Sequence, residues 1–175
     1  MGRSRKNGNI ILIGMPGSGK STLGVLLAKA LTRPFLDTDI HIQTREGKPL
    51  QRILNEHGIA FFLRLEQECI LSLSLSRHVI ATGGSVVYGA RAMAHLKRQG
   101  LVVLLELSLP FLRRRLRDMH NRGIVLAPGQ DLAALYAERK PLYERYADLR
   151  VSCDRKTHEQ VIGEILAALD DRGIR

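Results

Sequence analysis

Residues 9–21 read NIILIGMPGSGKS and combine three signals that belong together in space. The run Asn9–Ile13 is almost entirely apolar, which predicts a strand buried on both faces of a parallel sheet. The segment from Gly14 to Ser21 matches G-x-x-x-x-G-K-[ST] at every fixed position, and a helical pattern covers residues 18–31. A glycine-rich loop between a strand and a helix predicts a phosphate-binding loop, or P-loop.

The residue types in this loop suit a nucleoside triphosphate. Glycines let backbone N–H groups point at phosphate oxygens, and the following helix presents its positive end to the anion. Lys20 is predicted to reach the β- and γ-phosphates and to act in catalysis by neutralising charge, and Ser21 is predicted to bind Mg²⁺. ATP and Mg²⁺ are therefore the expected cofactors. The predicted nucleotide-binding residues of the loop are Gly17, Ser18, Gly19, Lys20, Ser21 and Thr22.

The rest of the chain alternates short apolar runs with longer helical patterns. The predicted strands are 9–13, 35–37, 78–81, 101–107 and 149–153; the predicted helices are 18–31, 39–46, 49–56, 59–76, 90–98, 111–118, 131–146 and 157–171. This alternation predicts an α/β fold of three layers, a P-loop fold whose five-stranded parallel sheet carries helices on both faces. Ligands in such folds bind beyond the carboxyl ends of the strands.

The chain reads as one domain with two irregular parts. Residues 1–8 form a basic N-terminal tail, and residues 9–175 are predicted to fold as a single P-loop domain. Residues 118–130 contain glycine and proline without any hydrophobic period, which predicts a mobile lid over the site.

Composition narrows the class of protein. A net charge of +10 fits either a nucleic-acid surface or a pocket for polyanionic ligands, but aromatic residues make up only 5% and Trp is absent. Nucleic acid is therefore disfavoured, because stacking platforms for bases are scarce. Two isolated cysteines and no apolar run of about 20 residues predict a cytoplasmic protein without a membrane span. We expect a monomer that binds small molecules.

Two polar segments follow predicted strands at the expected active end. Residues 37–39 read DTD, and on an extended backbone the two carboxylates would point the same way. One of them could order Mg²⁺ through water while the other orients or deprotonates a substrate hydroxyl, although Asp39 could instead cap the next helix. Residues 82–85 read TGGS, where paired glycines allow either close approach of a ligand or a plain turn.

These residues together resemble the shikimate kinase family, small enzymes similar to nucleoside-monophosphate kinases, over nearly the whole chain. The matching features are GMPGSGKST at 14–22, FLDTD at 35–39, the Phe62-x-x-x-Glu66 spacing, TGG at 82–84, arginines at 115 and 122, and RKPLY at 139–143. The P-loop alone is common to many nucleotide-binding proteins, but the set in this order is much more specific.

The resemblance implies roles for the acidic and glycine residues. Asp39 would engage the substrate hydroxyl as a catalytic residue, and Asp37 would support Mg²⁺ together with Ser21. The paired glycines Gly83 and Gly84 would touch the substrate.

The same resemblance implies roles for three arginines. Arg115 would lie along the adenine, and Arg139 would hold the carboxylate of the substrate. Arg122, in the lid, would meet both phosphate and substrate and assist catalysis. The implied substrate is shikimate, a carboxylate-bearing polyol.

The sequence departs from the family pattern around the acceptor. Leu63 occupies the position at which the family has an arginine for the substrate carboxylate; Arg64 is about 100° further around the helix and should not replace it. Ser85 replaces a third glycine, and Gly123 replaces the proline that usually follows the lid arginine. Because the nucleotide half is intact, a kinase for a different small hydroxy acid or polyol remains an alternative, as does a non-catalytic nucleotide sensor that binds nucleic acid.

Overall fold

A computed structural model describes residues 8–117 and 129–174, and its centre is a five-stranded parallel sheet. The strands are β1 (Asn9–Ile13), β2 (Phe35–Asp37), β3 (Val79–Ala81), β4 (Gly100–Glu106) and β5 (Leu149–Ser152), in the spatial order β2-β3-β1-β4-β5. The predicted α/β class and the predicted parallel five-stranded sheet are confirmed. Residues 1–7 of the tail and residues 118–128 of the lid, with Arg122 and Gly123, lie outside the described residues.

Seven α-helices of the described part cover the sheet in two groups. They are α1 (Lys20–Leu31), α2 (Thr38–Glu46), α3 (Leu50–Ser72), α4 (Ala90–Gln99), α5 (Leu109–Arg117), α6 (Leu132–Tyr146) and α7 (His158–Asp170). Helix α1 packs with α7, and α3 packs with α4. A short 3₁₀ helix, Val86–Tyr88, precedes α4.

Helix α3 carries the largest local difference from the sequence prediction. The predicted helices 49–56 and 59–76 are joined into one element, with a kink at Gly58, where φ is 79°. The helix ends at Ser72 because Leu73 becomes extended, with ψ at 124°, and buries its side chain against the core. The residues up to 76, predicted to be helical, are therefore irregular.

The core explains why β1 has the most apolar sequence. All five of its residues are buried, since β1 lies at the centre of the sheet with β3 and β4 on its two sides. A smaller apolar cluster fills the space between α2 and α3, and it includes Ile42, Phe62 and Cys69.

The register of the sheet brings the loops after three strands to one place. Asp37 pairs with Ala81, and Ala81 pairs with Leu12 in the centre of the sheet. Thr82 fixes this edge, because its backbone N–H and its hydroxyl both donate to the Leu12 carbonyl, at 3.2 and 3.0 Å. The P-loop, the DTD segment and the TGGS segment therefore start side by side, as parallel strands require.

A helix that crosses a lipid bilayer needs about 20 consecutive, mostly apolar residues. Across residues 8–117 and 129–174, the structure contains no helix long and apolar enough to cross a membrane.

Candidate active site

A cleft of about 620 Å³ opens at the carboxyl ends of the strands. Most of the predicted site residues line it, namely Gly17, Gly19, Lys20, Ser21, Thr22, Asp37, Asp39, Gly84 and Arg115. Ser18, Gly83 and Arg139 are buried behind its surface. The fold therefore brings together the described residues that the sequence predicted to form one site.

The P-loop has the backbone shape that its glycines allow. Gly14 and Gly19 have φ angles of 146° and 98°, in the region that side chains disfavour. A Cβ on Gly14 would also lie 2.6 Å from the Leu105 carbonyl oxygen. Gly19 is the N-cap of α1, so the positive end of this helix faces the cleft.

Lys20 is folded back on its own loop. Its ammonium group donates to the carbonyl oxygens of Gly14 and Met15, at 2.8 and 2.9 Å. Burial lowers the pKa of Lys20 to about 8, and the neighbouring carboxylates Asp39 and Asp37 oppose this shift. A buried cation thus lies at the floor of the cleft, close to two acidic side chains.

Asp37 connects the P-loop to α2. The Ser21 hydroxyl donates to Asp37 Oδ2 at 2.6 Å, while Asp37 Oδ1 accepts the backbone N–H groups of Asp39 and Ile40. Asp37, rather than Asp39, is therefore the N-cap of α2, which begins at Thr38. The assumption of an extended backbone through residues 37–39 was wrong, because the backbone turns into the helix immediately after Asp37.

Asp39 occupies the first turn of α2 and lines the cleft. Burial, with a contribution from Asp37, raises the pKa of Asp39 to about 6, although Lys20 acts in the opposite direction. Its Oδ1 is buried and has no hydrogen-bond partner among the described residues. A carboxylate that is desolvated and unsatisfied in this way suits a hydroxyl ligand.

Glu66 is a site residue to which the sequence analysis gave no role. Only 2% of it is exposed, and the Ser85 hydroxyl donates to its Oε2 at 2.7 Å. Burial raises the pKa of Glu66 to about 8, and the Ser85 hydrogen bond opposes the shift. The signal was present in the Phe62-x-x-x-Glu66 spacing, but its proximity to Ser85 depends on the packing of α3 against the TGGS loop.

Two tyrosines hold the glycine loop and Arg139 in place. Arg139 is fully buried; its Nε donates to the Tyr88 hydroxyl at 3.1 Å, and its guanidinium lies 5.0 Å from the centre of the Tyr88 ring. The Tyr143 hydroxyl donates to the Gly84 carbonyl at 2.5 Å. No role was predicted from the sequence for Tyr88, and Tyr143 was named only as the last residue of the RKPLY segment.

Arg115 lies against the P-loop rather than in open solvent. Its Nη1 is within long hydrogen-bonding distance of the Gly17 and Ser18 carbonyls, at 3.3 and 3.4 Å. His158, at the first position of α7, also lines the cleft although the scattered histidines gave no signal in the sequence. Residues from both the N-terminal and the C-terminal parts of the chain therefore line the cleft.

Two of the positions that depart from the family pattern, Leu63 and Ser85, line a second, smaller cavity. Leu63, Arg64, Glu66 and Ser85 line this space of about 190 Å³. The side chain of Arg64, about 100° further around the helix than Leu63, is exposed. Among the described residues that line this cavity, Arg64 is the only arginine or lysine.

Glu66 is expected to make the protein less stable as the pH rises. Its pKa of about 8 in the folded protein exceeds the usual value of 4.5, so the folded state keeps a proton that the unfolded chain releases. The free energy of unfolding should therefore decrease as the pH rises from 4.5 to about 8. Glu66→Gln should remove this destabilising effect of pH and stabilise the protein by about 1–3 kcal/mol near pH 8. Urea denaturation of both proteins at acidic and alkaline pH measures the difference; parallel pH profiles would contradict it.

The parallel sheet, the P-loop and the acidic side chains beside it define a P-loop phosphotransferase. The family model described as shikimate kinase matches residues 16–170. A shikimate kinase of Methylococcus capsulatus is 38% identical over 175 residues, covering 98% of this chain and 97% of the relative. The chain belongs to the shikimate kinase family, whose members transfer phosphate to a hydroxyl group.

Solved structures of shikimate kinases show the same family relationship. Shikimate kinase from Acinetobacter baumannii, in complex with shikimate, superposes with a TM-score of 0.88 at 30% identity, covering 96% of each chain. Shikimate kinase from Aquifex aeolicus superposes with a TM-score of 0.80 at 34% identity, covering 94% of this chain and 98% of that one. The similarity therefore extends over the whole fold.

Proposed function

We propose that this protein transfers the γ-phosphoryl group of ATP to the 3-hydroxyl group of shikimate, giving shikimate 3-phosphate and ADP. The observation that carries the proposal is the unsatisfied Asp39 Oδ1 in the same cleft as the P-loop Lys20. A nucleotide seated on the P-loop would place its γ-phosphate beside that carboxylate. Membership of the shikimate kinase family supports the choice of acceptor.

The nucleotide half fits ATP with Mg²⁺. Ser21 Oγ and Asp37 Oδ2 are 2.6 Å apart and supply the hard oxygen atoms that Mg²⁺ prefers. Residues 8–117 and 129–174 contain no cluster of three or more metal-ligating side chains, which suits an ion held by few protein oxygens and by phosphates. When bound there, Mg²⁺ would neutralise charge on the β- and γ-phosphates.

Four side chains would have separate roles in the phosphoryl transfer. Lys20 would leave the Gly14 and Met15 carbonyls and bind the phosphates, because their negative charge offers a stronger partner. Asp39 would orient the acceptor hydroxyl and take its proton as the oxygen forms a bond to the γ-phosphorus and the bond to ADP breaks. Arg139 would bind the acceptor carboxylate, and Arg122 is proposed to close over the phosphates from the lid.

Release of ADP tests the proposal directly. ADP formation from ATP and Mg²⁺ should rise strongly when shikimate is added at millimolar concentration and stay near background without it. Formation of shikimate 3-phosphate, measured by mass spectrometry, excludes stimulated hydrolysis of ATP. Unchanged ADP release with shikimate would show that the acceptor is wrong.

A related acceptor is a second candidate because of Leu63 and Ser85. The family arginine that binds the substrate carboxylate is absent at position 63, so Arg139 would have to hold the carboxylate without that partner. A lost charged hydrogen bond costs about 1.5–3 kcal/mol, or about tenfold or more in binding. Another small hydroxy acid or polyol that stimulates ADP release more than shikimate would favour this candidate.

Arg139→Lys is expected to weaken acceptor binding selectively. Lysine keeps the charge but loses the planar donor pair and the contact between Arg139 Nε and the Tyr88 hydroxyl. The KM for shikimate should rise about tenfold or more, with little change in the KM for ATP. Steady-state kinetics with each substrate varied measures the two constants, and Arg145→Lys, on the same helix, is the control. An equal rise in both KM values would contradict this role for Arg139.

A further inference from the structure

Tyr88 contacts the buried arginine of the acceptor site but has no role in the proposed mechanism. It ends the 3₁₀ helix Val86–Tyr88, where its backbone N–H donates to the Ser85 carbonyl at 3.0 Å. Arg139, on α6, is fully buried, and its Nε donates to the Tyr88 hydroxyl at 3.1 Å. The Arg139 guanidinium also lies 5.0 Å from the centre of the Tyr88 ring, within the range of a cation–π contact. Tyr88 therefore holds Arg139 through both its hydroxyl and its ring.

Glu138 fixes the direction of the Tyr88 hydroxyl. The hydroxyl has a single proton, which it donates to Glu138 Oε1 at 2.6 Å. Its lone pairs then remain for the Nε–H of Arg139, so Tyr88 meets the arginine as a hydrogen-bond acceptor. Gln130 Nε2 donates to the other oxygen of Glu138 at 2.6 Å, which orients this carboxylate although its side chain is exposed. The Tyr88 hydrogen bond lowers the pKa of Glu138, so Glu138 is a charged acceptor at neutral pH.

The same guanidinium reaches the glycine loop of the main cleft. A Cβ on Gly84 would lie 3.3 Å from Arg139 Nη1, and Gly84 lines the cleft. The contact of Nε with Tyr88 thus sets how the guanidinium plane meets this loop. An arginine binds a carboxylate through a planar pair of donors, so the orientation of that plane matters. An arginine that is oriented before the acceptor binds loses less conformational freedom on binding.

Leu63 makes the orientation of Arg139 more important in this chain. The family pattern has an arginine for the acceptor carboxylate at this position, and Leu63 brings no donor. Tyr88 and Leu63 line the same cavity of about 190 Å³, and neither side chain brings a positive charge to it. Without the second arginine, affinity for the carboxylate depends on how well Arg139 is held in place.

We propose that Tyr88, directed by Glu138, is a positioning residue that orients Arg139 for the acceptor carboxylate and so sets the preference for an acidic acceptor over a neutral one. This inference rests on the proposed function, under which Arg139 binds the carboxylate of shikimate. Tyr88 acts through Arg139 and does not touch the reacting atoms. Its loss should therefore change the binding and choice of acceptor and leave phosphoryl transfer itself unchanged.

The test compares shikimate with its methyl ester in the wild type and in Tyr88→Phe. The ester keeps every hydroxyl group but has no negative charge for Arg139. Tyr88→Phe keeps the ring and removes the hydroxyl, and it should raise the KM for shikimate by about threefold to tenfold without changing kcat or the KM for ATP. The KM for the ester should stay nearly constant, so the preference for the acid in kcat/KM falls. A residue that only supported the fold would affect both acceptors equally.

Variants of Glu138 test the same contact from its other side. Glu138→Leu removes the acceptor of the Tyr88 proton and should reduce the preference for the acid, whereas Glu138→Gln keeps an acceptor oxygen and should retain most of it. Because Glu138 is exposed, this pair tests the inference even if Tyr88→Phe does not fold. In an Arg139→Lys background, Tyr88→Phe should have no further effect, since both changes remove the same hydrogen bond.

Tyr146→Phe is the matched control. Tyr146 lies on the same helix as Arg139, and the Arg145 guanidinium lies 5.7 Å from the centre of its ring, so this change removes the hydroxyl of another tyrosine that contacts an arginine. It should leave the preference for shikimate over the ester unchanged. An unchanged preference in both Tyr88→Phe and Glu138→Leu overturns the inference and leaves the proposed function in place. Absence of any wild-type turnover of shikimate instead overturns the proposed function, and the inference with it.

Discussion

Replacing Lys20 with methionine should reduce kcat for phosphoryl transfer by about 10²–10³-fold, the usual effect of losing a hydrogen-bond donor to a developing charge. Lys20 is the buried cation of the cleft, 8% exposed, and its present partners are two carbonyl oxygens of its own loop. Without it, the negative charge that moves between the γ-phosphate and the leaving ADP has no ammonium partner on the P-loop. Single-turnover measurement of ADP formation at saturating ATP isolates this step.

Lys29→Met is the matched control for Lys20→Met. Lys29 is exposed in the last turn of the same helix, α1, so its loss should leave kcat unchanged and alter stability by no more than about 0.5 kcal/mol. Lys20→Met should also remain folded. The substitution removes the buried charge together with the hydrogen bonds that satisfied it, so no unpaired buried charge is left. A kcat for Lys20→Met close to that of the wild type would show that the P-loop lysine does not act on the moving phosphoryl group.

Replacing Asp39 with asparagine should reduce kcat by about 10²–10⁴-fold, the range in which a general base contributes. Asparagine preserves the shape of the side chain and its place in the first turn of α2, but its amide cannot take the proton of the acceptor hydroxyl. The KM for ATP should change little, since the P-loop and the Ser21–Asp37 pair remain intact. Steady-state kinetics at saturating ATP and shikimate measures the loss.

Asp171→Asn, at the exposed C-cap of α7, is the control for Asp39→Asn. It should retain wild-type kcat and wild-type KM values. If Asp39→Asn kept most of its kcat and instead raised the KM for ATP, Asp39 would act on the nucleotide side of the cleft. The proposed transfer of a proton to Asp39 would then be wrong.

The sequence determined the elements of the fold and the nucleotide half of the site. The apolar run of β1 and the glycine pattern after it act over neighbouring residues, so their structure follows from local chemistry. The capping box at Thr157, where α7 was predicted to begin, is local in the same way. Even the kink of α3 at Gly58 was visible as a break between two helical patterns.

Short-range reasoning was wrong where a tertiary contact decided the backbone. Residues 37–39 were expected to be extended, but Asp37 accepts the Ser21 hydroxyl and two N–H groups of α2, and the helix begins at Thr38. The apolar and serine residues after Ser72 continued a helical pattern, yet burial of Leu73 in the core ends the helix. The Ser21 hydroxyl, 16 residues away in sequence, and the core around Leu73 are contacts that the local pattern does not contain.

The acceptor half of the site was decided by tertiary structure. Glu66 and Ser85 are 19 residues apart in sequence, and Arg139 and Tyr88 are 51 apart, so no local pattern connects them. Their burial also sets the unusual pKa of Glu66, because desolvation depends on what packs around a group and not on its neighbours along the chain. The sequence alone thus determined a P-loop kinase fold, whereas the packing of α3, α6 and the glycine loop decided which polar groups meet the acceptor.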